Sequence, residues 1–196
     1  MIHASPDGEG LDLFFDAYRR YEGLQFRDVT RYAFIAESQV QVTVVPSGAD
    51  RSEALLQRTL TLEPGADYTL AVTNRVEDLG LTLFEDVNQQ PSVGSRFRAV
   101  HLSPDAPQLD VDEQDLFSFD DFIARDLGFR SASGYEGMLA GDLCFEVEPS
   151  DRWGDNDYVE YSGSFEGGQT YTLFVVGLVE PTGDEPGIQL LAVRDT

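Results

Sequence analysis

No lysine occurs anywhere in this 196-residue chain: all 13 basic residues are arginine, against 36 Asp plus Glu, for a formal net charge of −23 at pH 7. Lysine is normally among the commonest residues. In dilute salt so large an acidic excess repels itself and opposes compaction; at molar salt, where the Debye length falls to about 3 Å, the same surface is tolerated. This is the composition expected of a halophile's protein. It also repels phosphate backbones and anionic headgroups, so neither nucleic acid nor an anionic membrane is an expected partner. Cysteine is reduced to Cys144, which rules out an intramolecular disulfide. Its setting in "GDLCFEVEP" alternates like a strand and predicts an inert thiol facing inward beside Leu143 and Phe145. With two histidines and one cysteine, the chain lacks the three or four ligands that zinc requires. No run of 18 apolar residues offers a membrane-spanning helix, and Met1-Ile2 leads into the first motif without a visible signal peptide. A mature exported chain would lack such a signal too.

Against these absences stands 41% hydrophobic content, enough for buried cores, and a repeat. "IHASPDGEGLDLFF" at Ile2 is answered by "VHLSPDAPQLDVDE" at Val100, placing H-x-S-P-D at His3 and again at His101. Further pairs follow in order: "FRDVTRY" with "FRSASGY", "VTVVPS" with "FEVEPS", "EPGADYTLAV" with "EGGQTYTLFV", and "GLTLF" with "GIQLL". Ordered matches along the chain read as two copies of one domain. Each copy contains short alternating or apolar runs bounded by Gly, Pro, Ser and Asp, the signature of strands and turns. The expected fold is all-β, with little helix: two tandem antiparallel β-sandwich domains, immunoglobulin-like or transthyretin-like, related by internal duplication. The first is expected at 1–90, a short linker at 91–96 and the second at 97–196. A turn or two of helix is expected only near Ser52 and near Asp115. The first copy has only Met1 and Ile2 where the second has a full leading strand at Arg96 to His101.

The repeated motif invites chemistry, because it sets an imidazole, a hydroxyl and a carboxylate within five positions. Ser-Pro-Asp is nonetheless good turn chemistry: Pro presets φ, and Ser and Asp bond nearby backbone. His3, Ser5, Pro6, Asp7 and Asp12, with His101, Ser103, Pro104, Asp105 and Asp110, are therefore read as a structural motif that bends the chain into each sandwich. A serine hydrolase would need a base in reach, an orienting acid, an oxyanion hole and a nucleophile elbow that this string lacks. No catalytic, cofactor or metal site is assigned. Calcium is the one cofactor the acids admit, through Asp110, Asp112, Glu113 and Asp115 or through Asp151, Asp155, Asn156 and Asp157. Tyr32, Tyr68, Tyr135 and Tyr171 are expected in the cores with their hydroxyls at the rims. Trp153, the only tryptophan, lies in a polar loop and is the candidate ligand contact for a sugar or a protein.

"RAVHLSPDAPQLDV", the later "E-x-G-x-x-YTL" and the closing apolar strand resemble the bacterial and archaeal domain-of-unknown-function family 4397, once per half. The second copy carries H-x-S-P-D-A-P intact at His101 to Pro107, while the first departs from it with Gly8, Glu9 and Gly10. That resemblance implies a secreted or surface-attached β-sandwich, often in tandem, without assigned chemistry. The expected function is non-enzymatic: a spacer, adhesin or building block at a cell surface or in an extracellular assembly, with protein partners or self-assembly. A carbohydrate- or peptide-binding module is the alternative, and a hydrolase at His-x-Ser-Pro-Asp stands last.

Overall fold

The computed structural model describes residues 1–114, 122–151 and 158–195. The chain divides into two compact units, Met1–Val87 and Asn88–Thr196. Unit 1 holds β1 (Ile2–His3), β2 (Leu11–Phe15), β3 (Tyr18–Leu24), β4 (Gln39–Pro46), β5 (Leu56–Thr61), β6 (Asp67–Thr73) and β7 (Gly80–Asp86). Unit 2 holds β8 (Ser95–His101), β9 (Leu109–Glu113), β10 (Phe122–Leu127), β11 (Ser131–Ala132), β12 (Glu136–Met138), β13 (Gly141–Pro149), β14 (Val159–Phe165), β15 (Thr170–Val176) and β16 (Gln189–Arg194).

Period-2 alternation makes these strands bury one face. In β4 the apolar positions Val40, Val42 and Val44 are buried, and β-branched side chains suit the half-buried pleat. Unit 1 has one sheet in the order β3-β2-β4-β5 and another in the order β1-β6-β7. Leu11, Leu13, Val42 and Val44 from the first meet Leu70, Val72 and Leu81 from the second in one core. Unit 2 repeats this plan with β10-β9-β13-β14 opposite β11-β8-β15-β16, while β12 adds alongside β8. Its core is more aromatic: the Phe97 ring lies 5.2 Å from Phe145, 5.0 Å from Phe165 and 5.3 Å from Tyr171. Such ring pairs add about 0.5–1.5 kcal/mol each beyond the area they bury.

Several local expectations are corrected. One strand pair in each unit runs parallel, β1 with β6 and β8 with β15, because the intervening four-stranded sheet is itself the crossover between them. Near Ser52 the expected turn forms, as one turn of 3₁₀ helix at Arg51–Glu53. The segment expected to be helical near Asp115 is strand where it is described: β10 pairs with β9 through two register shifts, and these irregularities let Ile123, Ala124 and Leu127 imitate helical spacing. The final matched pair is also offset by two. The β6–β7 ladder sets Ala71 opposite Thr82 and the β15–β16 ladder sets Phe174 opposite Leu191, so Gly80 corresponds to Gln189 and not to Gly187. A slip of two residues preserves which side chains face inward, so the text matched without revealing it.

Cys144 points away from the core. Phe145 and Val147, which follow it on the alternate face of the strand, are buried at the centre, whereas Cys144 is only partly covered on the opposite face.

Candidate functional site

β1 belongs to one sheet and β2 to the other, as do β8 and β9. H-x-S-P-D is therefore the corner at which each unit's chain crosses from layer to layer. In unit 2, His101 Nδ1 accepts the Ser103 amide at 3.3 Å, which leaves the proton on Nε2 to donate to the Pro107 carbonyl at 3.0 Å. Ser103 Oγ donates to Asp105 at 3.3 Å. The Asp105 carboxylate accepts the amides of Val179 at 2.9 Å and Glu180 at 3.0 Å, in the loop that follows β15. In unit 1 the Ser5 amide donates to His3 Nδ1 at 3.2 Å, Ser5 Oγ to Asp7 at 3.4 Å, and the Val76 amide to Asp7 at 2.9 Å, with the Arg75 guanidinium 4.0 Å away. Pro6 and Pro104 sit within the turn, which Gly8 closes in unit 1 by donating its amide to the Ser5 carbonyl at 3.4 Å.

The two imidazoles differ at one atom. His3 Nε2 is buried without a hydrogen-bond partner of proper geometry. Gly8 packs so closely on that ring that an added Cβ would lie 3.0 Å from His3 Cε1. Burial lowers the pKa of both imidazoles, against the opposing pull of the Glu9 backbone and Asp28 at His3 and of the Pro107 and Ala106 backbones and Asp105 at His101. His3, Ser5, His101 and Ser103 all have 0% exposure. Each serine hydroxyl is spent on an aspartate and each Nδ1 on a backbone amide, so the imidazole is not positioned to take the serine proton.

Two further devices repeat. The amides of Arg27 and Arg130 donate to the His3 and His101 carbonyls, both at 2.8 Å, and both arginines adopt left-handed backbone, φ 76° and 61°. Such a conformation persists in a non-glycine residue only where its surroundings hold it. Asp12 in β2 is buried and accepts the Gly23 amide at 2.7 Å, the Gly48 amide at 3.0 Å and the Arg19 guanidinium at 3.2 Å. Burial alone would raise its pKa, but the Gly23 and Gly48 amides, Ser47 and Arg19 together lower it. Asp110 does related work in β9, accepting the Asp126 amide at 2.8 Å and the Ser150 hydroxyl.

A second polar set escaped the sequence reading. Tyr32 and Tyr135, expected in the cores, do not join them; their hydroxyls reach carboxylates instead. Tyr135 donates to Asp195 at 3.1 Å and Tyr32 to Asp86 at 2.5 Å. Thr172 donates to Asp195 at 2.9 Å and Thr69 to Asp86 at 2.8 Å. In unit 2 a buried Arg98 completes the set, with Nε donating to Thr172 Oγ1 at 2.9 Å and its guanidinium 4.9 Å from the Tyr135 ring centre. The two-residue slip hid the correspondence of Asp86 with Asp195. Tyr171 does lie in its core, and Tyr68 and Tyr171 accept the amides of Glu63 and Glu166 through their hydroxyls.

Among the described residues no group of three or more His, Cys, Asp or Glu is arranged to hold a metal ion. Asp115, Asp155, Asn156, Asp157 and Trp153 lie outside the described residues. Among those described, no helix is long and apolar enough to cross a membrane.

The profile of the family described as Domain of unknown function (DUF4397) matches residues 1–112. The chain belongs to that family. The DUF4397 match takes in all of unit 1, β8 and the second H-x-S-P-D corner, and ends at Asp112 within β9. No curated protein matches the chain.

Proposed function

We propose that this DUF4397 protein is a non-enzymatic structural or adhesion module of a halophile's cell surface or extracellular assembly, built by internal duplication. The observation that carries the reading is the closed state of the repeated corner: its imidazoles and hydroxyls are buried, and the exposed carboxylates of Asp7 and Asp105 cap them and accept backbone amides, as fits joinery between two sheets. The recurrence of one strand order in both units supports the duplication. The charge of −23 without lysine supports a high-salt setting, where carboxylates hold water and cations while repulsion is screened.

Three measurements test this reading. Circular dichroism against KCl is expected to show the fold lost between molar and millimolar salt; an unchanged spectrum removes the halophile assignment. Protease treatment of intact cells is expected to cleave the protein, and full protection overturns the surface location. Light scattering in molar KCl is expected to show association that grows with concentration, and a strict monomer throughout counts against a building block.

A further inference from the structure

Only an uncharged ring satisfies both contacts of His101. With Nδ1 accepting the Ser103 amide at 3.3 Å and Nε2 donating to the Pro107 carbonyl at 3.0 Å, a second proton would set an N–H on Nδ1 against the Ser103 N–H. The ring has little room to swing away, being fully buried with Phe129 edge-on at 5.9 Å. What can move is the Ser103–Pro104–Asp105 turn. That turn holds a loop: the Asp105 carboxylate accepts the Ser103 hydroxyl at 3.3 Å and the amides of Val179 at 2.9 Å and Glu180 at 3.0 Å, fastening the start of the segment 177–188 to the corner. Within itself that segment is joined by the Leu178 amide on the Pro186 carbonyl and by Thr182 on Glu185.

Asp105 is also the carboxylate whose charge acts on the His101 ring, favouring the protonated form that burial disfavours. The other charged groups beside that ring among the described residues are Arg130, whose amide donates to the His101 carbonyl and whose guanidinium lies 4.9 Å from the Phe129 ring centre, and Glu180 on the loop. The neighbouring strands set Ser131 and Val175 opposite His101, and neither titrates. One carboxylate therefore has two competing partners, the loop amides when the ring is neutral and the imidazolium when it is charged.

We infer that the H-x-S-P-D corner of unit 2 is an acid-operated latch: protonation of His101 turns Asp105 from the Val179 and Glu180 amides toward the imidazolium and frees the loop 177–188 while the sandwich stays folded. Unit 1 carries the same string without this exchange. The acid whose charge acts on His3 is Asp28, which is tied to the Gln25 amide at 2.8 Å, whereas Asp7 holds the Val76 amide with the Arg75 guanidinium 4.0 Å away. Glu9 meets His3 through its backbone, and Arg27 through its amide on the His3 carbonyl. The loop at 74–79 therefore stays fastened when the loop at 177–188 is released. The latch does not depend on the assembly reading.

The test is amide hydrogen exchange by NMR on the full 15N-labelled chain in molar KCl, from pH 7.5 to pH 5, expressed as protection factors so that the chemical effect of pH on exchange is removed. Ring 15N shifts report the charge of each imidazole in the same sample. As His101 gains its proton, protection of the Val179 and Glu180 amides is expected to fall about tenfold or more, while Val76 and the β15 amide of Leu173 stay within about twofold. His101→Gln keeps every carboxylate but takes no proton, and is expected to hold Val179 and Glu180 protection level across the range. If that variant fails to fold, Val76 in the unaltered chain remains the control. Protonation of His101 with Val179 and Glu180 unchanged, an equal loss at Val76, a loss that persists in His101→Gln, or an imidazole that stays neutral until the β15 amides are lost would each overturn the latch.

Discussion

Units 1 and 2 share a hydrogen-bonded skeleton and differ in how they fill it. Both cross between sheets at H-x-S-P-D, both clamp the aspartate to the loop after the strand that pairs in parallel with the motif's own, and both hold an arginine in left-handed backbone against the histidine carbonyl. The cores diverge: three rings surround Phe97 in unit 2, while unit 1 has Val42 and Leu62 in register with two of those rings and opens into a groove. The difference teaches that directional bonds at the corner specify the path of the chain, whereas the core needs only sufficient apolar volume.

Breaking the aromatic cluster should give the largest effect. Phe97→Ala removes the ring at its centre and is expected to cost about 3–5 kcal/mol, as large-to-small core changes do. Guanidinium denaturation in molar KCl reads this as a lowered midpoint for unit 2, and an unchanged midpoint would show that the cluster contributes little.

Next in size comes the acid five residues beyond each motif aspartate. Asp12→Ala leaves the Gly23 and Gly48 amides without their acceptor, and a loss of about 2–3 kcal/mol is expected. Asp110→Ala should cost roughly half as much, since Asp110 is only half-buried and water can replace it. Equal losses by urea denaturation would erase the distinction. Ser5→Ala and Ser103→Ala should each cost about 0.5–1.5 kcal/mol, the range of an ordinary hydrogen bond.

The smallest effect comes from the histidines. Both folded pKa values are lowered, so between the ordinary value near 6.5 and the lower folded value the unfolded chain binds more protons. The contribution is fully present above pH of about 6.5 and is lost as pH falls below it. Melting temperature should therefore drop from pH 7.5 to pH 5.5, and His3→Gln and His101→Gln should each flatten part of that slope. A melting temperature that rises on acidification would reverse the assignment. Gly8→Ala sharpens the comparison: it presses a Cβ onto the His3 ring and should destabilise unit 1, although alanine is the natural residue at the matching Ala106 of unit 2.

Much of the architecture was legible from residues alone. Local turn chemistry and period-2 alternation are properties of short segments, so β4, β6, β13 and β15 could be read directly, and repeated text exposed two copies of one pattern. What required the tertiary structure was everything that depends on which strands become neighbours: the parallel pairs, the outward face of Cys144, the two-residue slip beside β7 and β16, and the meeting of Arg98 with Thr172, Tyr135 and Asp195. Alternation states that a strand has two faces but not which of them meets the core, and a displacement by two conserves the pattern while changing every partner. Local sequence therefore determined where the chain turns and extends, and long-range pairing alone decided what each side chain touches.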